Sequence, residues 1–172
     1  MTEEQRRVYD ATVAGKRGRA PAPLMAWLAS PVLADRAQKL GEFARYDTTF
    51  PPRLSELAIL VVARYWTAQY EWTAHKAEAL KAGWDLATID EIANRRRPQF
   101  KNADERVVYD FSLTLNQTHA IPTELYQTAI DVLGERAVVE LVGILGYYTL
   151  ISMTLNTFEI SPPDGKPAEL AP

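Results

Sequence analysis

Glu56, Glu71 and His75 are the residues whose types and spacing best suit acid–base chemistry in this chain. An imidazole held by a carboxylate can keep a proton ready for transfer near neutral pH. Glu71 and His75 stand four apart, so on a helix they share a face and reach each other without help from the rest of the fold. The same spacing is also that of a solvent-exposed ion pair, worth only about 0.3–0.5 kcal/mol. Glu56 lies in the most apolar stretch of the first half, Leu54 to Val62. A carboxylate there is costly to bury without a partner. It either caps the helix begun near Pro52, points to solvent, or meets a partner from elsewhere.

Glu56 and His75 cannot meet on one straight helix, because nineteen residues at 1.5 Å each separate them by about 28 Å. A break near Thr67 with the chain folding back would bring them together, as would two contacting subunits. The sequence supports the break. Leu57, Val61, Tyr65 and Trp66 fall on one stripe at helical spacing, widened by Ile59, Leu60 and Val62. Thr67 is then a fair N-cap for a new helix over 68–82, stopped by Gly83.

The other elements follow similar signals. Thr2-Glu3-Glu4-Gln5 predicts a capping box opening a helix to about Ala14. The segment GKRGRAPAP, 15–23, is a loop, and 24–28 a short helical turn. Ser30-Pro31 opens a helix to about Tyr46. Further helices are expected over 86–94, 104–118 and 122–133, and a long buried one over 135–157. No stretch carries a convincing strand pattern. The expectation is an all-α, compact single domain of seven to eight helices over 1–160, followed by a Pro-rich tail over 161–172.

Candidate ligand-binding residues surround the acid–base set. Arg53 and Arg64 flank Glu56 at i−3 and i+8, and either could pair with it or hold an anionic substrate. Tyr70 and Trp72, with Trp66, bracket the site as core or as substrate platform. His119 reads as a loop residue. With two histidines far apart and no cysteine, only Glu56, Glu71 and His75 remain as metal ligands, and no metal-binding motif is present. No metal and no cofactor are expected.

Composition narrows the function. The 172 residues carry 19 Lys and Arg against 22 Asp and Glu, a net charge of −3, which argues against a nucleic-acid binder. The Arg95-Arg96-Arg97 cluster is short and reads as a solvated loop. Zero cysteines exclude disulfides, thiolate metal sites and cysteine nucleophiles. No signal peptide is visible, and the apolar run from Val138 to Leu155 is broken by Glu140 and Ser152, so it reads as a buried helix and not as a membrane span. A cytoplasmic location is expected.

The stretch PPRLSELAILVVARYWTAQYEWTAHKAEALKAGW, 51–84, resembles the core of the carboxymuconolactone decarboxylase and alkyl hydroperoxidase D superfamily. The likeness rests on Arg53-x-x-Glu56, the aliphatic run, Tyr70, His75 and Gly83. Looser resemblance at the lead-in and the closing helix extends it over most of 15–160. It implies an all-helical fold and a homotrimer or homohexamer. In the peroxidase branch the motif is Glu-x11-Cys-x2-Cys-x3-His. Here Glu56 and His75 match the relay, but the thiol positions hold Ala68 and Glu71, so thiol peroxidase activity is disfavoured. In the decarboxylase branch a glutamate four before the histidine is usual, as Glu71 is here. The chain also resembles a cysteine-free subgroup with a Tyr-Glu-Trp-x-x-His motif, matched by Tyr70-Glu71-Trp72 and His75.

The expected function is therefore a cofactor-independent lyase or proton-transfer enzyme acting on a small carboxylated lactone or similar anion. His75 would donate the proton, Glu71 orient it, Glu56 relay, and Arg53 or Arg64 anchor the anion. The competing expectation is a non-catalytic helical oligomer that binds a small apolar or aromatic ligand. Solvent access to His75 discriminates the two, because catalysis requires a lined cavity beside it.

Overall fold

The computed structural model describes residues 1–162, 165 and 167–172. Nine helices are present and no strand occurs among the described residues: α1 (Glu3–Ala14), α2 (Leu24–Trp27), α3 (Pro31–Tyr46), α4 (Pro52–Tyr65), α5 (Gln69–Lys81), α6 (Leu86–Ala93), α7 (Ala103–Thr118), α8 (Thr123–Leu133) and α9 (Glu135–Thr157). The ninth relative to expectation is the four-residue α2.

Local chemistry opens several of these helices. The Thr2–Gln5 capping box starts α1, a second box from Asn102 and Glu105 starts α7, and the Asp85 carboxylate accepts from Thr88 N–H at the start of α6. Prolines at the first helical turn open α3 and α4, where a missing N–H costs nothing.

α4 is the central element. Every residue from Leu54 to Arg64 is buried, and the helix packs against α5, α7 and α9. A helix apolar on nearly all sides belongs inside a core. α9, the longest helix, is long and apolar enough to cross a membrane by length and composition alone, despite Glu140 and Ser152, but 61% of that stretch is buried inside the fold, in keeping with the buried helix expected there.

The reversal between α4 and α5 differs from expectation in detail. Thr67 does not cap α5. It adopts a left-handed backbone, φ 48°, and Ala68 is the N-cap without a side-chain bond. The Thr67 hydroxyl instead accepts hydrogen bonds from the Arg64 and Arg95 guanidinium groups. A β-branched residue in that region is strained, and its surroundings must hold it there.

The segment 161–172, expected as a tail, is docked at its end. The Gln69 amide accepts from Glu169 and Leu170 N–H and donates to Leu170 C=O, while the Leu170 side chain is buried. Lys76 pairs with Glu169. Pro163, Asp164 and Lys166 lie outside the described residues.

Candidate active site

The α4–α5 reversal brings Glu56 and His75 together. Glu56 Oε2 lies 2.6 Å from His75 Nδ1, and Glu71 Oε1 lies 2.9 Å from His75 Nε2. The three side chains are buried: 6% of Glu56, 6% of Glu71 and 4% of His75 remain exposed. The Glu71–His75 pair is therefore an enclosed pair extended by a second carboxylate, and Glu56 turns inward to His75 in place of capping α4 or pointing to solvent. α3 adds Arg45 from its last turn, with Nη1 3.4 Å from His75 Nε2 and Nη2 3.8 Å from a Glu78 carboxylate oxygen. α9 supplies Tyr148, whose ring meets the imidazole edge-on with 5.1 Å between centroids.

Electrostatics follow from this packing. Burial disfavours the imidazolium, but the charges and hydrogen bonds of Glu56 and Glu71 outweigh it and push the His75 pKa up to about 9. In the protonated state both ring nitrogens donate, Nδ1–H to Glu56 and Nε2–H to Glu71. When the Nε2 proton leaves, Nε2 can accept from the adjacent Arg45 Nη1. The geometry thus accommodates both protonation states. Glu56 and Glu71 face the imidazolium, and Glu78 lies between Arg45 and Lys81, so each carboxylate of the cluster has a cation beside it, which is what a buried charge cluster requires.

Burial pushes the Tyr148 hydroxyl well above its ordinary pKa and the Tyr147 hydroxyl up to about 12, so both remain O–H groups. Tyr147 reaches its place because residue 41 is glycine: a Cβ there would lie 2.0 Å from the Tyr147 hydroxyl oxygen. The Tyr147 and Tyr148 rings pack edge-on.

A cavity of about 250 Å³ adjoins His75. Glu71, His75, Tyr70, Tyr147 and Tyr148 form part of its wall, with Arg45 from α3 and Arg17 and Arg19 from the loop between α1 and α2. Glu56 does not line it and stands behind the imidazole. Guanidinium groups beside an acid–base pair have the chemistry to hold a small anion.

The arginines named from sequence lie elsewhere. The Arg53 guanidinium binds Glu105 at 2.7 Å and the Gly83 carbonyl at 2.8 Å, and stacks 3.8 Å over the Trp84 ring. These contacts pin α4 to α7 and to the end of α5, and Arg53 does not line the His75 cavity. Arg64 faces the α4–α5 junction and bonds Thr67 and the Ala171 carbonyl. Eight residues along α4 place it about 12 Å from Glu56. Trp72 is buried in the core and does not line the cavity, whereas Tyr70 does. His119 caps α7 in a left-handed conformation, away from His75. Among the described residues, no cluster of three His, Cys, Asp or Glu side chains has metal-holding geometry.

Arg17, Arg19, Arg45, Tyr147 and Tyr148 escaped the sequence reading. Tyr147-Tyr148 carried a signal, since two adjacent tyrosines inside an apolar helix need partners for their hydroxyls. The arginines carried none, because loop and helix-end arginines are ordinary surface residues by pattern.

No family model matches the chain, and no curated protein matches it. Solved structures do. The debrominase Bmp8 in its apo form superposes with a TM-score of 0.71 at 14% identity, covering 95% of this chain and 86% of that one. A Cys-to-Ala variant of Bmp8 in complex with 2,3,4-tribromopyrrole gives 0.71 at 15% identity with the same coverage. The chain shares the fold of these debrominase structures, and that fold is all-helical among the described residues, as expected from the sequence.

Proposed function

We propose that this protein is a cofactor-independent acid–base enzyme, a carboxymuconolactone decarboxylase-like lyase or related proton-transfer enzyme acting on a small carboxylated ring or similar anion. The observation that carries the reading is His75, clamped between two buried carboxylates and opening onto a cavity rimmed by Arg17, Arg19 and Arg45. The 2,3,4-tribromopyrrole bound by the Bmp8 variant is a small planar ring. This chain has no cysteine, so thiol-dependent turnover is not open to it.

In this reading the arginines hold the anion and Tyr148 walls off water. The bond to the departing carboxylate breaks, CO2 leaves, and the electron pair moves onto a conjugated carbonyl oxygen as an enolate. Fixed cationic and O–H donors in a dry site stabilise that charge. The His75–Glu71 couple then delivers a proton to carbon, Arg45 takes over the vacated Nε2 lone pair, and solvent restores the proton. Glu56 holds the ring through Nδ1 and steadies its charge. General acid catalysis of this kind contributes about 10²–10⁴-fold.

The test is CO2 release from a panel of carboxylated lactones and vinylogous keto acids, with circular dichroism as a folding control. His75→Gln should lower kcat by about 10²–10⁴-fold while the helical signal persists. Turnover that survives in His75→Gln would overturn the assignment.

A second reading, a non-catalytic oligomer binding an apolar ligand, rests on a different observation. An open groove of about 760 Å³ between the ends of α4 and α7 and the outer face of α9 is lined by Tyr65, Trp66, Leu115, Val142 and Met153. Exposed Leu33, Leu40 and Phe43 on α3 support homo-oligomerisation under either reading, with a trimer or hexamer proposed. Light scattering at micromolar concentration tests it.

A further inference from the structure

A second charged cavity lies at the other end of α4. It has a volume of about 170 Å³, is remote from His75, and is lined by Val61, Arg64, Ile92, Arg95, Tyr109 and Leu113, among others. Arg64 and Arg95 converge here, both within hydrogen-bond reach of the one Thr67 hydroxyl, at 3.0 and 3.4 Å.

Among the described residues, neither guanidinium has a carboxylate within ion-pair distance. Their neighbours in the arginine cluster do: Arg96 pairs with Glu91 and Arg97 with Asp110. Arg64 is 94% buried, with 6% exposed, and its Nε–H has no hydrogen-bond acceptor. Burial and the Arg95 charge both lower the Arg64 pKa, the expected response of a cation enclosed beside another cation. Buried charges are ordinarily paired, and a buried N–H is ordinarily bonded. Both departures occur in the same cavity. The two residues are brought together where α4 and α6 end: Thr67 and Arg95 are the left-handed residues that close these helices, φ 48° and 57°, with Ala68 N–H bonded to Ala63 C=O and Arg96 N–H to Glu91 C=O. Val61, Ile92 and Leu113 give the wall an apolar part, and Tyr65, Tyr109 and Gln117 complete it.

We propose that this cavity is a second ligand site, for a small amphiphilic carboxylate. The carboxylate seats between Arg64 and Arg95 and supplies the missing counter-charge, and its apolar body packs against Val61, Ile92 and Leu113. The site is separate from the His75 cavity and does not depend on the function proposed for it.

The probe is benzoate, with inorganic phosphate and chloride as comparison anions, titrated into the full-length protein and followed by amide and arginine side-chain NMR. Benzoate should give saturable shifts at Thr67, Ile92, Leu113 and the Arg64 Nε–H. Arg95→Gln, at an exposed side chain that leaves the core intact, should weaken those shifts' midpoint at least tenfold while shifts near His75 keep theirs. Arg64→Lys, which retains the charge but loses the planar fork, should weaken it as well. Phosphate should bind more weakly than benzoate, since it cannot use the apolar wall. Absence of saturable shifts at these residues, an unchanged midpoint in Arg95→Gln, or phosphate binding as tightly as benzoate would each overturn the proposal.

Discussion

The two ends of α4 bury charge in opposite ways. Near its start, Glu56 lies in a set where it and Glu71 hold a protonated His75, beside Arg45 and its partner Glu78. Near its end, Arg64 lies beside Arg95 with hydroxyl and carbonyl oxygens as partners and no carboxylate. One helix in one core thus carries a compensated cluster and an uncompensated one. A compensated cluster can lose and regain a proton without leaving a naked charge, so it suits turnover. An uncompensated one is completed only by something from outside, so it suits binding.

Charge removal should separate the two ends most sharply. At the compensated end, Glu56→Gln leaves the buried imidazolium with half its support. A loss of about 3–5 kcal/mol is expected from breaking a buried pair, read as the shift in urea midpoint at constant slope. The His75 pKa should fall in the same variant, visible by imidazole NMR with His119→Asn as background. A stability change under 1 kcal/mol would show that the cluster is not coupled as its distances imply.

The pH dependence comes next in size. Folding raises the His75 pKa from the ordinary 6.5 to about 9, so the native state holds a proton that the unfolded chain releases earlier. This contribution is fully present below about pH 6.5 and is lost as pH rises towards 9, by about 3 kcal/mol in total. Denaturation midpoints between pH 6 and 9.5 should decline in the wild type, with this component of the slope missing in His75→Gln. Parallel profiles for the two proteins would show that His75 is not the titrating group.

The smallest effect belongs to the other end. Arg95→Gln removes an exposed side chain whose charge opposes that of Arg64, and stability should stay within about 0.5 kcal/mol of the wild type or rise slightly. A loss above 1 kcal/mol would mean that the Arg95–Thr67 contact outweighs the repulsion from Arg64, and the contrast between the ends would collapse.

Much of this architecture was legible in the residues themselves. The capping box at Thr2, prolines at helix starts and the 3.6-residue apolar spacing of α4 and α9 are local signals, and local hydrogen bonding honours them. The Glu71–His75 pair was legible for the same reason, since i,i+4 neighbours meet on any helix. Thr67 shows the limit even at short range. A good N-cap by type, it instead closes α4 as a left-handed residue, with Ala68 N–H bonded back to Ala63 C=O, and its hydroxyl accepts from two guanidinium groups.

Sequence alone determined that the chain is helical, that it has no thiol chemistry, and that one histidine has a carboxylate one turn away. Tertiary structure alone decided that Glu56 is the second carboxylate, that Arg45, Arg17 and Arg19 rim the cavity while Arg53 serves Glu105, and that Arg64 meets Arg95. The reason is physical. Helix capping and periodicity act over a few residues and are written in order along the chain. The partner of a buried charge is whichever group the packing of distant helices delivers within about 3 Å, and the spacing of residues along the sequence does not encode that distance.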